Sequence, residues 1–398
     1  MFRNFVRATD NESALDESEG LSPLLVLKWL ESKLIENNPD KEEFNDEEIT
    51  EGIEDISKEM QNMVVDQKNR DDIIDIFNTF AYQKREEIRI KFNGFLNWLE
   101  QTYGSEFFYL ETADLLSRDL LYLFEKHLYN VKNPSRLNQL LFLQYLRACA
   151  LFSEIIYLVK GGFANGALTR FRTLHELTVI TEFIYKRGEQ AADRYLDYVI
   201  VMDKKDIDYK KRELGITEQN EELIRDLNKK IQKIKKEKGP EFVNDRSDYI
   251  WAKPFLNLNS KENATFHKIF KATRENKQGG EQYKDASNNI HSSPKSLNSA
   301  INTINGTPIT GASNLGFNIP ASYATYEMEQ LGHLLSKELA NNIEQLNLDI
   351  TEMLTPNFIT TLQNYLRNMI NQGFVKKEKA IIEDETNTEP ENDDLNDS

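Results

Sequence analysis

Cysteine is almost missing: Cys149 is the single one in 398 residues. One thiol excludes a disulfide scaffold and any cysteine-based zinc cluster. Histidine is scarce too, five in the chain, so a large metal site would have to be built of carboxylates. No metal and no other cofactor is expected. Positive charge is in the minority, with 49 Lys+Arg against 66 Asp+Glu and a net charge of −17. That balance argues against wholesale nucleic-acid binding through net charge. The chain also lacks a phosphate-cradling glycine loop, an H-E-x-x-H pair and a nucleophile elbow. Gly311-Ala-Ser-Asn-Leu-Gly316 has no preceding strand of the kind a dinucleotide site needs. Neither an internal repeat nor a clean run of strand alternation is present. The first twenty residues have no apolar core followed by a cleavage site, so they do not read as a secretory signal. The most apolar stretch, Leu137 to Val159, contains Arg147 and Glu154, whose burial in lipid would cost several kcal/mol. It reads as a buried helix, and the chain as a cytoplasmic protein with no membrane partner.

What remains is helical periodicity. The expected fold is an all-α, multi-helix bundle with an N-terminal helical region and a disordered acidic C-terminal tail. Residues 1–21 are expected to be flexible, 22–132 to form the N-terminal helical region, 133–376 the central helical domain and 377–398 the tail. Ser22-Pro23 is a helix-start signal followed by Leu24, Leu27, Leu30 and Leu34 at helical spacing. Asp71 to Trp98 carries Ile73, Ile76, Phe77 and Phe80 on one face. Asn133-Pro134-Ser135 starts a central helix that ends at Gly161-Gly162, where glycine can take the left-handed cap conformation. A second helix runs from near Asn165 to Gly188, making an antiparallel hairpin. Helices are expected over Ala191 to Glu213, Glu218 to Lys238, Tyr323 to Leu348 and Pro356 to Asn371. Thr303 to Pro320 reads as a loop. From Glu383 on, eight carboxylates with almost nothing apolar cannot offset their ordering entropy.

Candidate chemistry falls in the middle. Arg172 and Glu176 are four apart on one face of the second central helix. Either the pair pins helices together, or Arg172 grips a phosphate or carboxylate while Glu176 orients it. His291 stands among Ser287, Asn288, Asn289, Ser292 and Ser293, and Tyr283 lies two turns before it. Arg172, Glu176, Tyr283 and His291 are expected to converge in one polar pocket. Lys229, Lys230, Lys233 and Lys236, with Lys235 and Lys238, form a basic helix end that suits phosphates or simply a solvated face.

Three segments in order carry a resemblance: R-x-x-x-E within Ala164 to Arg187, Asp248-Tyr-Ile-Trp-Ala252, and Y-x-x-x-S-x-x-x-H-S-S from Tyr283 to Ser293. Together they resemble a bacterial family of uncharacterised helical proteins, known as a domain of unknown function, over roughly 133–316. The resemblance marks Arg172, Glu176, Trp251, Tyr283 and His291 as matching positions and implies no activity. A more distant likeness is to the helical nucleotide-binding domains (HEPN) that include toxin and antiviral ribonucleases, whose mark is an arginine and a histidine four to six residues apart. Arg170 to His175 fits the letters. Five residues along a helix, however, leave those side chains about 140° apart, and Phe171 stands where that family usually has a polar residue. A composite of Arg172 and His291 from different segments is chemically better, with histidine as base on a ribose 2′-hydroxyl and arginine stabilising the phosphorane charge.

Two functions follow as expectations. One is a metal-independent RNA-cleaving or nucleotide-handling effector in bacterial antiviral defence, an endoribonuclease whose partner is RNA or a nucleotide. The other is a non-catalytic interaction or sensor protein with a structural Arg172–Glu176 pair. In that case a protein partner, or a second copy in a homo-oligomer, meets the long polar helices or the acidic tail.

Overall fold

The structure is a computed structural model and describes residues 67–131, 133–213, 221–244, 247–259, 261–274, 279–290, 294, 302–304, 307–309, 311–341 and 350–387. Residues 1–21, expected to be flexible, the helix expected after Ser22, His291 and residues 388–398 lie outside them. By compactness the chain divides into Met1–Asn97 and Trp98–Ser398. The division by compactness falls inside the long helix α1 (Gln67–Asn130), whereas the sequence reading places a boundary at 132/133. The reason is burial. Leu99, Tyr103, Phe107, Leu110, Ala113, Leu120 and Phe124 of α1 are all core residues, and no break in periodicity marks the change. In the first unit the described residues are the start of α1, where Glu86 and Arg89 pair one turn apart at 2.8 Å on an exposed face.

The second unit is all-α and organised around one central helix. α2 (Arg136–Lys160) starts at Ser135, whose side chain accepts a hydrogen bond from Asn138 N, an N-cap that satisfies an otherwise orphaned donor. By length and composition alone α2 could cross a membrane; here Leu141, Tyr145, Phe152, Ile155 and Val159 are buried in the bundle. Burial pushes the Cys149 thiol up to about 12, with Asp114 adding to the effect, so it is no thiolate nucleophile. The chain reverses at Gly161-Gly162. Gly162 carries the positive φ of 82°, a left-handed conformation that costs other residues about 1–2 kcal/mol.

α3 (Ala164–Arg187) then packs against α2, against α4 (Glu189–Glu213), and against three later helices. It is buried almost all round, as a helix in the middle of a bundle must be. Beyond α4 come α5 (Glu221–Lys238), the single turn α6 (Pro240–Asn244) and a 3-10 turn at Ile250–Phe255. α7 (Phe266–Thr273) and α8 (Gly280–Ile290) both rest on α3. α9 (Asn318–Asn341) and α10 (Ile350–Asn387) close the body.

Three expectations change here. Within the expected loop, β1 (Asn302–Ile304) and β2 (Thr307–Ile309) pair antiparallel, Thr303 opposite Pro308; the intervening Asn-Gly sequence favours a two-residue hairpin. α9 starts at Asn318, not Tyr323, because Glu378 of α10 accepts from the backbone N–H of Phe317 and of Asn318 at its entry. α10 starts before Pro356 and runs to Asn387, so residues 377–387 are helix rather than tail. Lys377 holds Glu106 there, and Phe374 packs on Tyr103 with ring centroids 5.4 Å apart.

Candidate functional site

Arg172 and Glu176 sit one turn apart on α3, each about three-quarters buried, with Arg172 Nη2 2.8 Å from Glu176 Oε1. Across from them α8 presents Tyr283 and Ser287. Arg172 Nε donates to Ser287 Oγ at 3.0 Å, and Nη2 donates to the Tyr283 hydroxyl at 3.2 Å. That hydroxyl donates in turn to Glu176 Oε1 at 2.6 Å. Spacing of four on each helix, 172/176 and 283/287, is what lets two helices present matched polar pairs to one another. Burial first, then Glu176, raises the Tyr283 pKa, while Arg172 pulls the other way. Tyr249, from the Asp248 to Ala252 motif, joins these surroundings: burial and then the Glu176 carboxylate push its hydroxyl up to about 12. Trp251 of the same motif is core, edge-on to Tyr195 at 4.8 Å.

Three of the four residues expected to converge thus meet; His291 lies outside the described residues. The four lysines do not join them. α5 buries Leu227, Ile231 and Ile234 and turns Lys229, Lys230, Lys233 and Lys236 to solvent, a solvated outer face. Lys229 reaches Asp226 at 3.5 Å and Lys233 reaches Glu237 at 3.9 Å.

Immediately behind Tyr283 lies a group that sequence reasoning set aside. Arg170 is half exposed and pairs with Glu154 at 2.9 Å, whereas His175 is fully buried, the opposed placement that helix geometry required. His175 Nδ1 lies 2.8 Å from Glu327 Oε1 of α9. Glu327, also fully buried, accepts from Arg274 at 2.9 and 2.7 Å, and Arg274 spans to Glu182 at 2.6 Å. Burial alone would raise the Glu327 pKa; Arg274 and His175 overcome it and hold the carboxyl down to about 2. Burial works against the charge on Arg274 as well, and Glu327 and Glu182 more than offset it, raising its pKa.

A cavity of about 870 Å³ opens beside this network. His175, Phe266, Phe270, Tyr283 and Tyr323 form its aromatic wall, with Ser287, Lys284 and Glu281 at its polar side. Its volume is within the range of small-molecule pockets, and its wall is mostly apolar with few polar groups. A second, more polar hollow lies over Glu182, Lys186, Arg187, Arg274 and Tyr326; there Lys186 and Arg187 donate to the carbonyls of Thr273 and Ala272 at the end of α7. Among the described residues no group of three His, Cys, Asp or Glu side chains is placed to hold a metal ion.

The site therefore belongs to a helical bundle in which α3 carries the polar residues and α7, α8 and α9 enclose them. Residues 138–308, from α2 through the β-hairpin, match the model of a family of unknown function, DUF5677. The matched region is less than half of the chain and agrees in extent with the resemblance read from the three motifs. No curated protein and no solved structure matches the chain. Nothing in these matches supports the likeness to helical ribonucleases.

Proposed function

We propose that this is a nucleotide-handling protein that binds its ligand in the aromatic cavity between α3, α7, α8 and α9. The observation that carries this is the cavity wall. Phe266, Phe270, Tyr283 and Tyr323 offer flat π surfaces, and stacking of a base on such a surface contributes about 1–3 kcal/mol. Lys284 at the rim, and Arg172 behind Tyr283 and Ser287, supply positive charge for a phosphate on a chain that is otherwise acidic. RNA cleavage is the more demanding form of the same reading, because Arg172 is already closed in its bonds to Glu176, Tyr283 and Ser287, and His175 is sealed. The test is calorimetric titration of the full chain with nucleoside monophosphates and triphosphates, beside incubation with total RNA in EDTA. Binding without cleavage supports the proposal, and cleavage lost in Arg172→Ala establishes the ribonuclease form. Failure of every nucleotide to bind ends both. A role in antiviral defence rests on the helical-ribonuclease likeness alone and is tested by phage challenge of cells with and without the protein.

A second reading, an interaction or sensor protein, is supported by the closed circuit of Arg172, Glu176, Tyr283 and Ser287. Such a circuit clamps α3 to α8 and needs no substrate. If Arg172→Ala lowers stability while nucleotides never bind, this reading takes precedence.

A further inference from the structure

His175 is fully buried, and its Nε2 has no hydrogen-bond partner among the described residues. A buried polar atom left unpaired costs about 1–3 kcal/mol, so its persistence against an aromatic cavity calls for an explanation. The other ring nitrogen is settled by geometry: Nδ1 lies 2.8 Å from a Glu327 oxygen that also takes Arg274. An ionised carboxylate only accepts, so Nδ1 carries the proton and donates. With Nδ1 committed to Glu327, Nε2 is the ring nitrogen left to meet a ligand, and in the Nδ1-protonated tautomer it accepts.

The ring is held hard in this orientation. Phe171, Phe270 and Tyr283 surround it at centroid distances of 5.9, 5.7 and 5.3 Å. On the remaining side Gly279 passes so close that a Cβ there would sit 2.8 Å from His175 Cε1. The imidazole has no room to flip, and Glu327 itself is anchored by Arg274. Preorganisation of this kind is what a specificity-determining acceptor requires.

Resting on the proposed nucleotide-binding reading, we infer that His175 Nε2 is the polar anchor of the cavity and accepts a hydrogen bond from an N–H of a planar heteroaromatic ligand, such as the exocyclic amine of a base. Because Nε2 is sealed, the ligand must displace a ring to reach it. Phe266 and Tyr283, in contact at a centroid distance of 5.1 Å, both line the cavity and both pack on His175, and they are the rings that part.

The experiment measures dissociation constants of the full chain for adenosine monophosphate and for the purine analogue without the amino group. The amine is expected to bind about three- to tenfold more tightly than the unsubstituted purine, one neutral hydrogen bond's worth. His175→Asn, which keeps an amide near Nδ1 and removes Nε2, abolishes the preference; His175→Gln, which restores a polar atom near Nε2, recovers part of it. Equal binding of amine and unsubstituted purine by the unmodified protein overturns the assignment, as does tighter binding of the unsubstituted purine. Indole and benzofuran, isosteres with and without one N–H, separate this inference from the nucleotide reading. If no nucleotide binds but indole is preferred over benzofuran, the anchor stands and the nucleotide reading falls; equal binding of the two overturns the anchor. Should His175→Asn not fold, nitrogen NMR of ¹⁵N-histidine-labelled protein decides: the Nε2 resonance of His175 moves with indole and not with benzofuran, and an unmoved resonance overturns the inference.

Discussion

The Tyr283 hydroxyl of α8 donates to Glu176 of α3 across 2.6 Å while accepting from Arg172. One phenol thereby closes an ion pair that would otherwise be an ordinary intrahelical bridge. Tyr283→Phe removes a donor and an acceptor in a half-buried place and is expected to destabilise by about 1 kcal/mol, read as a lower urea midpoint with an unchanged slope.

The same hydroxyl gives a pH dependence. The Tyr283, Tyr249 and Tyr326 pKa values are all raised above the ordinary 10.0, first by burial, with Tyr249 and Tyr326 reaching about 12. Folded protein therefore holds these protons where unfolded chain has released them. Stability is complete below pH 10 and falls as pH rises from 10 toward 12. Thermal melts across that range are expected to show a steep decline, made shallower by Tyr249→Phe.

At the acid end the sign reverses. Glu327 is held down to about 2 against an ordinary 4.5, so its contribution is full above pH 4.5 and is lost as pH falls toward 2. Glu327→Leu leaves buried Arg274 with Glu182 alone of its two carboxylates and takes the acceptor from His175 Nδ1; it is expected to cost about 3 kcal/mol, which a chemical denaturation curve at neutral pH measures.

Gly279 has φ of 82° and abuts His175 Cε1. Gly279→Ala brings both backbone strain and collision, and a loss of about 1–3 kcal/mol is expected. Gly311→Ala is the control: its φ of 102° is equally strained, but the space around it is open, so the difference between the two melting points reports the collision with His175.

Arg170, by contrast, pairs with Glu154 where both are half exposed, and such pairs contribute little. Arg170→Ala, and Lys229→Glu with Lys233→Glu on the exposed face of α5, are expected to shift stability by less than about 0.5 kcal/mol and to leave nucleotide affinity unchanged in a calorimetric titration.

Where signals were local, the sequence was readable. Ser135 as N-cap, the Gly161-Gly162 reversal and the Arg172/Glu176 stripe each depend on residues within one or two turns, and helix geometry correctly placed Arg170 and His175 on different sides of α3. The Glu182–Arg274–Glu327–His175 network was not readable. Its bonded pairs stand 53 to 152 positions apart, and nothing near His175 announces a carboxylate waiting on α9. The unit boundary inside α1 and the helical start of α10 ahead of Pro356 went unread for a related cause: neither interrupts a periodic pattern, and only tertiary burial distinguishes them.

Glu327 and Tyr323 both come from α9, beyond the 308th residue where the family match stops. A fragment confined to the matched region would keep Arg274, Glu182 and His175 but would lack the carboxylate that joins two of them and the tyrosine that completes the cavity wall. The matched segment is thus smaller than the segment that assembles the pocket, whose wall and buried carboxylate need α9 as well.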